Sequence, residues 1–99
     1  MADRDRLFVL RPGFTDKGAV WFCPYSAQVM GYLSYYPAVR ETLELIELEF
    51  PRPRHPLVDL VGEDNQSMPC LVLAEGGFVG KTLEILRHLA KTRGTPMPH

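Results

Sequence analysis

The sequence feature that most constrains this chain is a cysteine followed at once by proline, where an apolar helical pattern begins. The segment reads VWFCPYSAQVMGYL, residues 20–33. Proline is favoured at the first position of a helix because the N–H group that it lacks would be unpaired there, and it breaks a helix interior. The order Cys-Pro therefore predicts that a helix begins at Pro24 with Cys23 as its N-cap residue.

A cysteine at a helix N-terminus has two interpretations. The backbone N–H groups of Tyr25 and Ser26 can point at the Cys23 sulfur, and the positive end of the helix dipole favours a thiolate over a thiol. The sulfur would then be ionised at neutral pH and nucleophilic. The alternative is a buried, unreactive cysteine that packs as a small apolar side chain. These residues alone leave both interpretations open.

Composition indicates one domain with an ordinary core. The chain has 99 residues, of which 45% are hydrophobic and 23% charged, so we predict a single domain over 1–99 with a flexible tail from about 95. A net charge of -1 gives no electrostatic case for nucleic acid or an anionic membrane as a partner. The sequence has neither an apolar run of bilayer length nor a signal-peptide pattern, so we predict a cytoplasmic location. Two cysteines are too few for a disulfide framework.

Hydrophobic periodicity predicts alternating strands and helices. Strands are predicted at residues 6–11, about 45–50, 70–74 and 78–79. Helices are predicted from 24 to a stop or kink at 37, within 57–62, and from 82 to about 94. Loops are predicted at 12–19, which holds two glycines and a proline, and at 51–56, which reads PRPRHP. This order predicts an α/β fold whose mixed sheet has helices on both faces.

Two of these elements carry specific expectations. Ile46, Leu48 and Phe50 alternate with glutamates, which favours a strand with one exposed face, although a helix over 39–49 also fits. In the last helix we expect Thr82 as the N-cap residue. That helix is expected to bury Leu83, Leu86, Leu89 and Ala90.

Three ordered segments resemble the thioredoxin fold. The tetrapeptide CPYS, residues 23–26, is similar to the CPYC motif of glutaredoxins and to the Cys-Pro-aromatic openings of omega-class glutathione transferases and chloride intracellular channel proteins. QSMPCLVL resembles the segment that carries a cis-proline before the third strand of that fold. EGGFVGKTLEILRHLA resembles the hairpin and last helix of the glutathione transferase N-terminal domain. FPRPR and EDNQS are similar to text in a bacterial thioredoxin-like family described only as a domain of unknown function.

The resemblance implies a single thioredoxin-like, glutaredoxin-like domain with a four-stranded mixed sheet and about three helices. It implies a cis bond before Pro69 and a Met68 backbone that pairs with the cysteinyl part of glutathione. It also places the γ-glutamyl carboxylate at Lys81 and Thr82, and a helix N-terminus with a hydroxyl and an ammonium is chemically suited to an anion.

Further contacts are expected around the sulfur. Pro24 and Tyr25 follow the cysteine and are expected to contact the substrate. The second carboxylate of glutathione needs a cation from elsewhere, and the candidates are Arg52, Arg54 and His55 in the proline-stiffened loop. We expect Ser26, which stands where a resolving cysteine would be, to donate a hydrogen bond to the thiolate.

The function predicted from these residues is that of a monothiol, glutathione-dependent thiol–disulfide oxidoreductase using Cys23. Glutathione would be a co-substrate, disulfides of small thiols or proteins would be partners, and no metal or covalently bound cofactor is expected. The alternatives are a non-catalytic binding module, which could form a homodimer, and a redox sensor that is glutathionylated without turnover. Residues 12–22 would either fold over the site as a lid or block it. Cys70 is expected to be buried rather than paired with Cys23.

Overall fold

The computed structural model describes residues 3–99, and within them six strands and four helices follow one another along the chain. The strands are β1 (Asp5–Leu10), β2 (Phe14–Asp16), β3 (Ala19–Trp21), β4 (Leu43–Leu48), β5 (Cys70–Val72) and β6 (Phe78–Val79). The helices are α1 (Pro24–Tyr35), α2 (Pro37–Glu41), α3 (Leu57–Val61) and α4 (Thr82–Arg93), with a 3₁₀ turn at Glu63–Asn65. Pro37 ends α1 and also begins α2, so the count of helices exceeds the predicted three by one.

The main sheet has four strands in the order β4-β1-β5-β6. Strand β1 pairs parallel with β4 and antiparallel with β5, and β6 pairs antiparallel with β5. The predicted α/β class with a four-stranded mixed sheet is therefore confirmed.

The central strand β1 is apolar along its length because both faces of the sheet are covered. Leu7 and Val9 pack with residues of α1, α2 and α4 on one face. Phe8 and Leu10 pack on the other face with Leu57 of α3 and with residues of β4 and β5. Side chains alternate between the faces of a strand, so an unbroken apolar run is what a strand covered on both sides requires.

Strand β4 confirms the predicted strand and begins at Leu43 rather than at about 45. The expectation of one exposed face was wrong. Leu43 and Leu45 contact the α1–α4 side of the core, whereas Ile46 and Leu48 contact the α3 side. What looked like an irregular alternation reflects a strand with apolar partners on both faces.

The predicted loop at 12–19 was wrong, because most of it belongs to a two-stranded hairpin of β2 and β3. Lys17 and Gly18 connect the strands with φ angles of 51° and 78°. Two central residues with positive φ are typical of the tight turns that match the twist of a hairpin. The indole N–H of Trp21 donates to the Asp16 carbonyl oxygen at 2.8 Å, which ties the two strands together. The hairpin stands between β1 and α1 in the chain.

The last helix, α4, corrects two expectations. Its N-cap residue is Lys81, so Thr82 is the first helical residue and does not cap the helix. Leu83 is 46% exposed, and Ile85 takes the expected core position beside Leu89. The predicted end near Gly94 is confirmed, since Gly94 adopts a left-handed conformation there.

The residues that follow α4 contact α1. The hydroxyl groups of Thr95 and Tyr32 lie 2.6 Å apart, and the Thr95 N–H donates to the Ala90 carbonyl oxygen. Across residues 3–99, every helix is too short or too polar to cross a bilayer.

Candidate functional site

Cys23 is the N-cap residue of α1, as the Cys-Pro order predicts. Its backbone is extended, with φ -81° and ψ 114°, and Pro24 occupies the first turn. The Ser26 N–H donates to the Cys23 sulfur at 3.3 Å. Of the two predicted N–H donors, Ser26 is therefore the one that reaches the sulfur. The side chain is half-buried, so the sulfur is held by the helix and still has a route to solvent.

The segment around Met68 meets this sulfur although it lies 45 residues away in the chain. Cys23 Sγ is 4.0 Å from the Met68 carbonyl oxygen, the outer limit for a hydrogen bond from a thiol. The Met68–Pro69 peptide bond is cis, the isomer that the resemblance implies. Within residues 3–99 the Met68 N–H has no hydrogen-bond acceptor, so one backbone donor beside the sulfur is free.

Four of the predicted substrate-binding residues line one cleft. We name it the Met68 cleft; it has a volume of about 460 Å³. Its walls are formed by Tyr25, Gln28, Ser67, Met68, Gly80, Lys81, Thr82 and Leu83. The start of α1, the segment before β5 and the start of α4 thus converge at one surface next to Cys23.

Ser26 has a different role from the predicted one. Its side chain is only 3% exposed, and its Oγ accepts a hydrogen bond from the Leu10 N–H at 3.1 Å. Its contact with the Cys23 sulfur comes from the backbone N–H and not from the hydroxyl. The side chain therefore fastens α1 to the end of β1, across the base of the hairpin.

Arg54 is buried, whereas the sequence predicted an exposed cation for a substrate carboxylate. It is 7% exposed, and its guanidinium donates to the carbonyl oxygens of Phe50 at 2.9 Å and Gln66 at 2.8 Å. The guanidinium also lies 5.4 Å from the centre of the Phe50 ring. Burial lowers the pKa of Arg54, with a further lowering from Arg52, while the negative charge of a Cys23 thiolate acts in the opposite direction.

The contacts of Arg54 give its charge no compensating carboxylate. Both hydrogen-bond acceptors of the guanidinium are neutral carbonyl groups. The backbone N–H of Arg54 donates to Gln66 Oε1 at 2.7 Å, so the loop and the residue before the Met68 segment are tied together. Arg52 is exposed and remains available to a ligand.

Cys70 is buried, in agreement with the sequence analysis. It is 1% exposed, lies at the start of β5 and is a free thiol. Burial raises the pKa of Cys70 to about 11. Within residues 3–99 no group of three histidine, cysteine or acidic side chains is arranged to hold a metal ion.

A second cleft, which the sequence analysis missed, opens at Cys23 beside the two ends of the hairpin. We name it the Phe22 cleft; its volume is about 300 Å³. Its walls are formed by Val9, Leu10, Pro12, Phe22, Cys23, Ser26, Ala27, Met30 and Glu47. These residues come from β1, the segments on either side of the hairpin, α1 and β4, so no local motif could have indicated the cleft. Phe22 is 61% exposed and stands at its edge rather than sealing the sulfur.

Comparison with known proteins places the chain in a family. No curated protein matches the chain, and no solved structure does. Residues 4–96 match the family described as "Protein of unknown function (DUF3088)". The match spans nearly the whole chain, and the protein belongs to this family.

Proposed function

We propose that this protein is a thioredoxin-like, glutathione-dependent thiol–disulfide oxidoreductase that works through Cys23 alone. The observation that carries the proposal is the hydrogen bond of 3.3 Å from the Ser26 N–H to a half-buried sulfur at a helix N-terminus. Arrangements of this kind favour the thiolate, which is the nucleophile in disulfide exchange.

The fold supports the thioredoxin-like part of the proposal. A parallel β1–β4 pair is joined through α1, an antiparallel β5–β6 hairpin follows, and α4 packs back on α1. The Met68 segment meets the sulfur across 45 residues of chain, with 4.0 Å between Cys23 Sγ and the Met68 carbonyl oxygen.

The charge near the sulfur supports the redox part. The dipole of α1 has its positive end at Cys23. The Arg54 guanidinium, buried without a carboxylate partner among its contacts, adds a positive charge that interacts with the Cys23 thiolate.

The Met68 cleft supplies the contacts for glutathione. The free N–H of Met68 and its carbonyl group can pair with the cysteinyl unit of the tripeptide as an added strand would. Lys81 and the N-terminus of α4, a helix of 12 residues, suit the γ-glutamyl carboxylate. Arg52, which is exposed, replaces Arg54 as the candidate for the second carboxylate.

The reaction proceeds in two exchange steps. The Cys23 thiolate attacks the glutathione sulfur of a mixed disulfide R–S–S–G, the Cys23–S–S–G bond forms, and RS⁻ leaves with the electron pair of the broken bond and takes up a proton. A glutathione thiolate then attacks the bound glutathione sulfur, releasing oxidised glutathione and restoring the Cys23 thiolate. With Ser26 in place of a second cysteine, a local disulfide cannot form.

The test is the pH dependence of Cys23 alkylation by iodoacetamide. In the Cys70→Ala variant, Cys23 is the remaining thiol, so the measured alkylation is that of Cys23. The Cys23→Ser variant measures alkylation of groups other than Cys23. We expect alkylation to stay fast well below pH 8 and to slow when glutathione disulfide is added, because Cys23 becomes glutathionylated. An alkylation midpoint at or above about pH 8.5, the value of a free cysteine, would overturn the proposal.

The same sulfur geometry also supports a redox sensor. Turnover separates the two functions: an oxidoreductase releases glutathione from a model mixed disulfide repeatedly, and a sensor retains one glutathione per chain. Steady-state deglutathionylation with mass analysis of the protein distinguishes them.

A further inference from the structure

The Phe22 cleft and the Met68 cleft lie on opposite faces of α1. Ser26, Ala27 and Met30 line the Phe22 cleft, and with Cys23 they share one helix face at the spacing i, i+3, i+4 and i+7. Tyr25 and Gln28 line the Met68 cleft and lie roughly half a turn away. Cys23 lines the Phe22 cleft and its sulfur also approaches the Met68 carbonyl oxygen. The sulfur therefore stands between two separate binding surfaces, and glutathione occupies one of them in the proposed function.

The wall of the Phe22 cleft is mainly apolar. Six of its nine lining residues are Val9, Leu10, Pro12, Phe22, Ala27 and Met30. Its volume of about 300 Å³ is at the lower end of the range for ligand pockets, roughly 300–1,000 Å³, and suits a group of about one aromatic ring.

Two polar side chains in the wall restrict the ligand further. Ser26 is 97% buried, and its oxygen accepts from the Leu10 N–H, which leaves the hydroxyl proton available to an acceptor such as a ligand sulfur. Glu47 brings a carboxylate to the wall, 3.7 Å from Arg11 Nε. The Glu47 carboxylate disfavours an anionic ligand and Arg11 beside it disfavours a cationic one, so an uncharged ligand fits best.

We propose that the Phe22 cleft is a second substrate site, for disulfides of small, apolar, uncharged thiols. The inference rests on the proposed function, since Cys23 is the nucleophile in both. The Cys23 thiolate attacks one sulfur of R–S–S–R, the Cys23–S–S–R bond forms with R in the cleft, and RS⁻ leaves with the electron pair and takes up a proton. A glutathione thiolate from the Met68 cleft then attacks the sulfur that carries R, which gives G–S–S–R and restores the Cys23 thiolate.

The cleft can be tested without glutathione, so that its outcome is separate from that of the proposed function. Benzyl and 2-hydroxyethyl methanethiosulfonate both transfer their R–S group to a thiolate and both release methanesulfinate. The rate of Cys23 modification by each reagent is measured by mass spectrometry in the Cys70→Ala background. The ratio of benzyl to hydroxyethyl rates is then divided by the same ratio for N-acetylcysteine.

We expect the corrected ratio to be about 10 or more, the discrimination that a small apolar pocket provides. Ala27→Leu fills the cleft from an exposed helical position and should bring the ratio close to 1. Ala38→Leu, at another exposed alanine, in α2 and outside the cleft, should leave it unchanged. Phe22→Ser, which removes the apolar rim from outside the helix, should lower it as well.

A corrected ratio near 1 in the parent protein, or a ratio that neither Ala27→Leu nor Phe22→Ser changes, would overturn the second site. Selective modification by the benzyl reagent in a protein that shows no glutathione turnover would uphold the cleft and reject the proposed function. Glutathione turnover without benzyl selectivity would uphold the proposed function and reject the second substrate site.

Discussion

The two cysteines of this protein lie close to the same apolar cluster and have opposite environments. Cys70 is a member of the cluster around Phe8, and Cys23 packs against it. Burial raises the pKa of Cys70 to about 11, whereas the Cys23 sulfur accepts the Ser26 N–H at 3.3 Å and is reachable from solvent.

The order of cysteine and proline accounts for much of this difference. In Cys23–Pro24 the proline follows and begins a helix, so the cysteine becomes the N-cap residue and faces free N–H groups. In Pro69–Cys70 the proline precedes, and the cysteine enters a strand whose N–H and carbonyl groups belong to the sheet. The two cysteines thus differ because a backbone N–H donates to the Cys23 sulfur, whereas Cys70 is surrounded by apolar side chains.

The largest effect expected from this comparison is on disulfide exchange. Cys23→Ser should reduce the exchange of a glutathione mixed disulfide to the uncatalysed rate, because the nucleophile is lost. Cys70→Ala should retain exchange within about twofold, since a cysteine of pKa about 11 holds roughly 100-fold less thiolate at neutral pH than one at the ordinary value of 9.0. Coupled glutathione assays on both variants check this. A large loss of rate in Cys70→Ala would mean that both cysteines take part.

Replacement of Arg54 should affect both stability and reactivity. Arg54→Met leaves the carbonyl oxygens of Phe50 and Gln66 without their donor, which should lower the free energy of unfolding by about 2–4 kcal/mol. It should also slow Cys23 alkylation at pH 7 several-fold, because a positive charge near the thiolate is lost.

Arg52→Met provides the control for Arg54, since Arg52 is an exposed arginine of the same loop. Urea unfolding and iodoacetamide kinetics on both variants give the comparison, and Arg54→Lys should recover part of the alkylation rate. Equal alkylation rates in Arg54→Met and the parent protein would show that Arg54 does not act on the Cys23 thiolate.

Cys70 should make the protein less stable at alkaline pH. Its pKa is about 11 in the fold and near 9.0 without burial, so between these values the unfolded chain loses a proton that the folded chain keeps. The free energy of unfolding should therefore fall as pH rises from 9 to 11, by up to about 3 kcal/mol. Urea unfolding of Cys70→Ala against the parent protein isolates this part, since the other titrating groups are shared. Parallel pH curves for the two proteins would contradict it.

Ser26 gives the smallest expected effect. Ser26→Ala leaves the buried Leu10 N–H without an acceptor and should lower the free energy of unfolding by about 1–2 kcal/mol. Iodoacetamide alkylation of Cys23 should change less than twofold, because the N–H of residue 26 is retained. Ser34→Ala, an exposed serine of α1, serves as the control. A tenfold drop in alkylation would show that the hydroxyl acts on the sulfur after all.

Local sequence was sufficient to predict the features that depend on neighbouring residues. The N-cap position of Cys23 and the end of α4 at Gly94 follow from the backbone preferences of proline and glycine. The hairpin at 14–21 was missed because its strands have three residues each and carry little periodicity. In α4, Leu89 and Ala90 are buried as expected and Leu86 is half-buried, whereas Leu83 is exposed and the buried Ile85 was missed.

Tertiary contacts decided the parts of the site that the sequence could not. Ser26 bonds to Leu10, 16 residues away, and Arg54 to Gln66, 12 residues away. A polar residue such as Ser26 near a cysteine suggests a chemical role. An arginine such as Arg54 in a proline-rich loop suggests a side chain exposed to solvent. Which of these residues is buried depends on how the elements pack, and short-range sequence patterns do not reveal that packing.

The hydrogen bond between Leu10 and Ser26 crosses the base of the hairpin, and it has a consequence for how related chains can vary. The end of β1 and the start of α1 are held directly to each other, so the ten residues between 12 and 21 are not needed to hold the sulfur. Exposed segments between fixed ends tolerate insertions, deletions and new sequence. Residues 12–21 can therefore change in length or sequence without releasing α1 from β1, and such changes would reshape the rim of the Phe22 cleft.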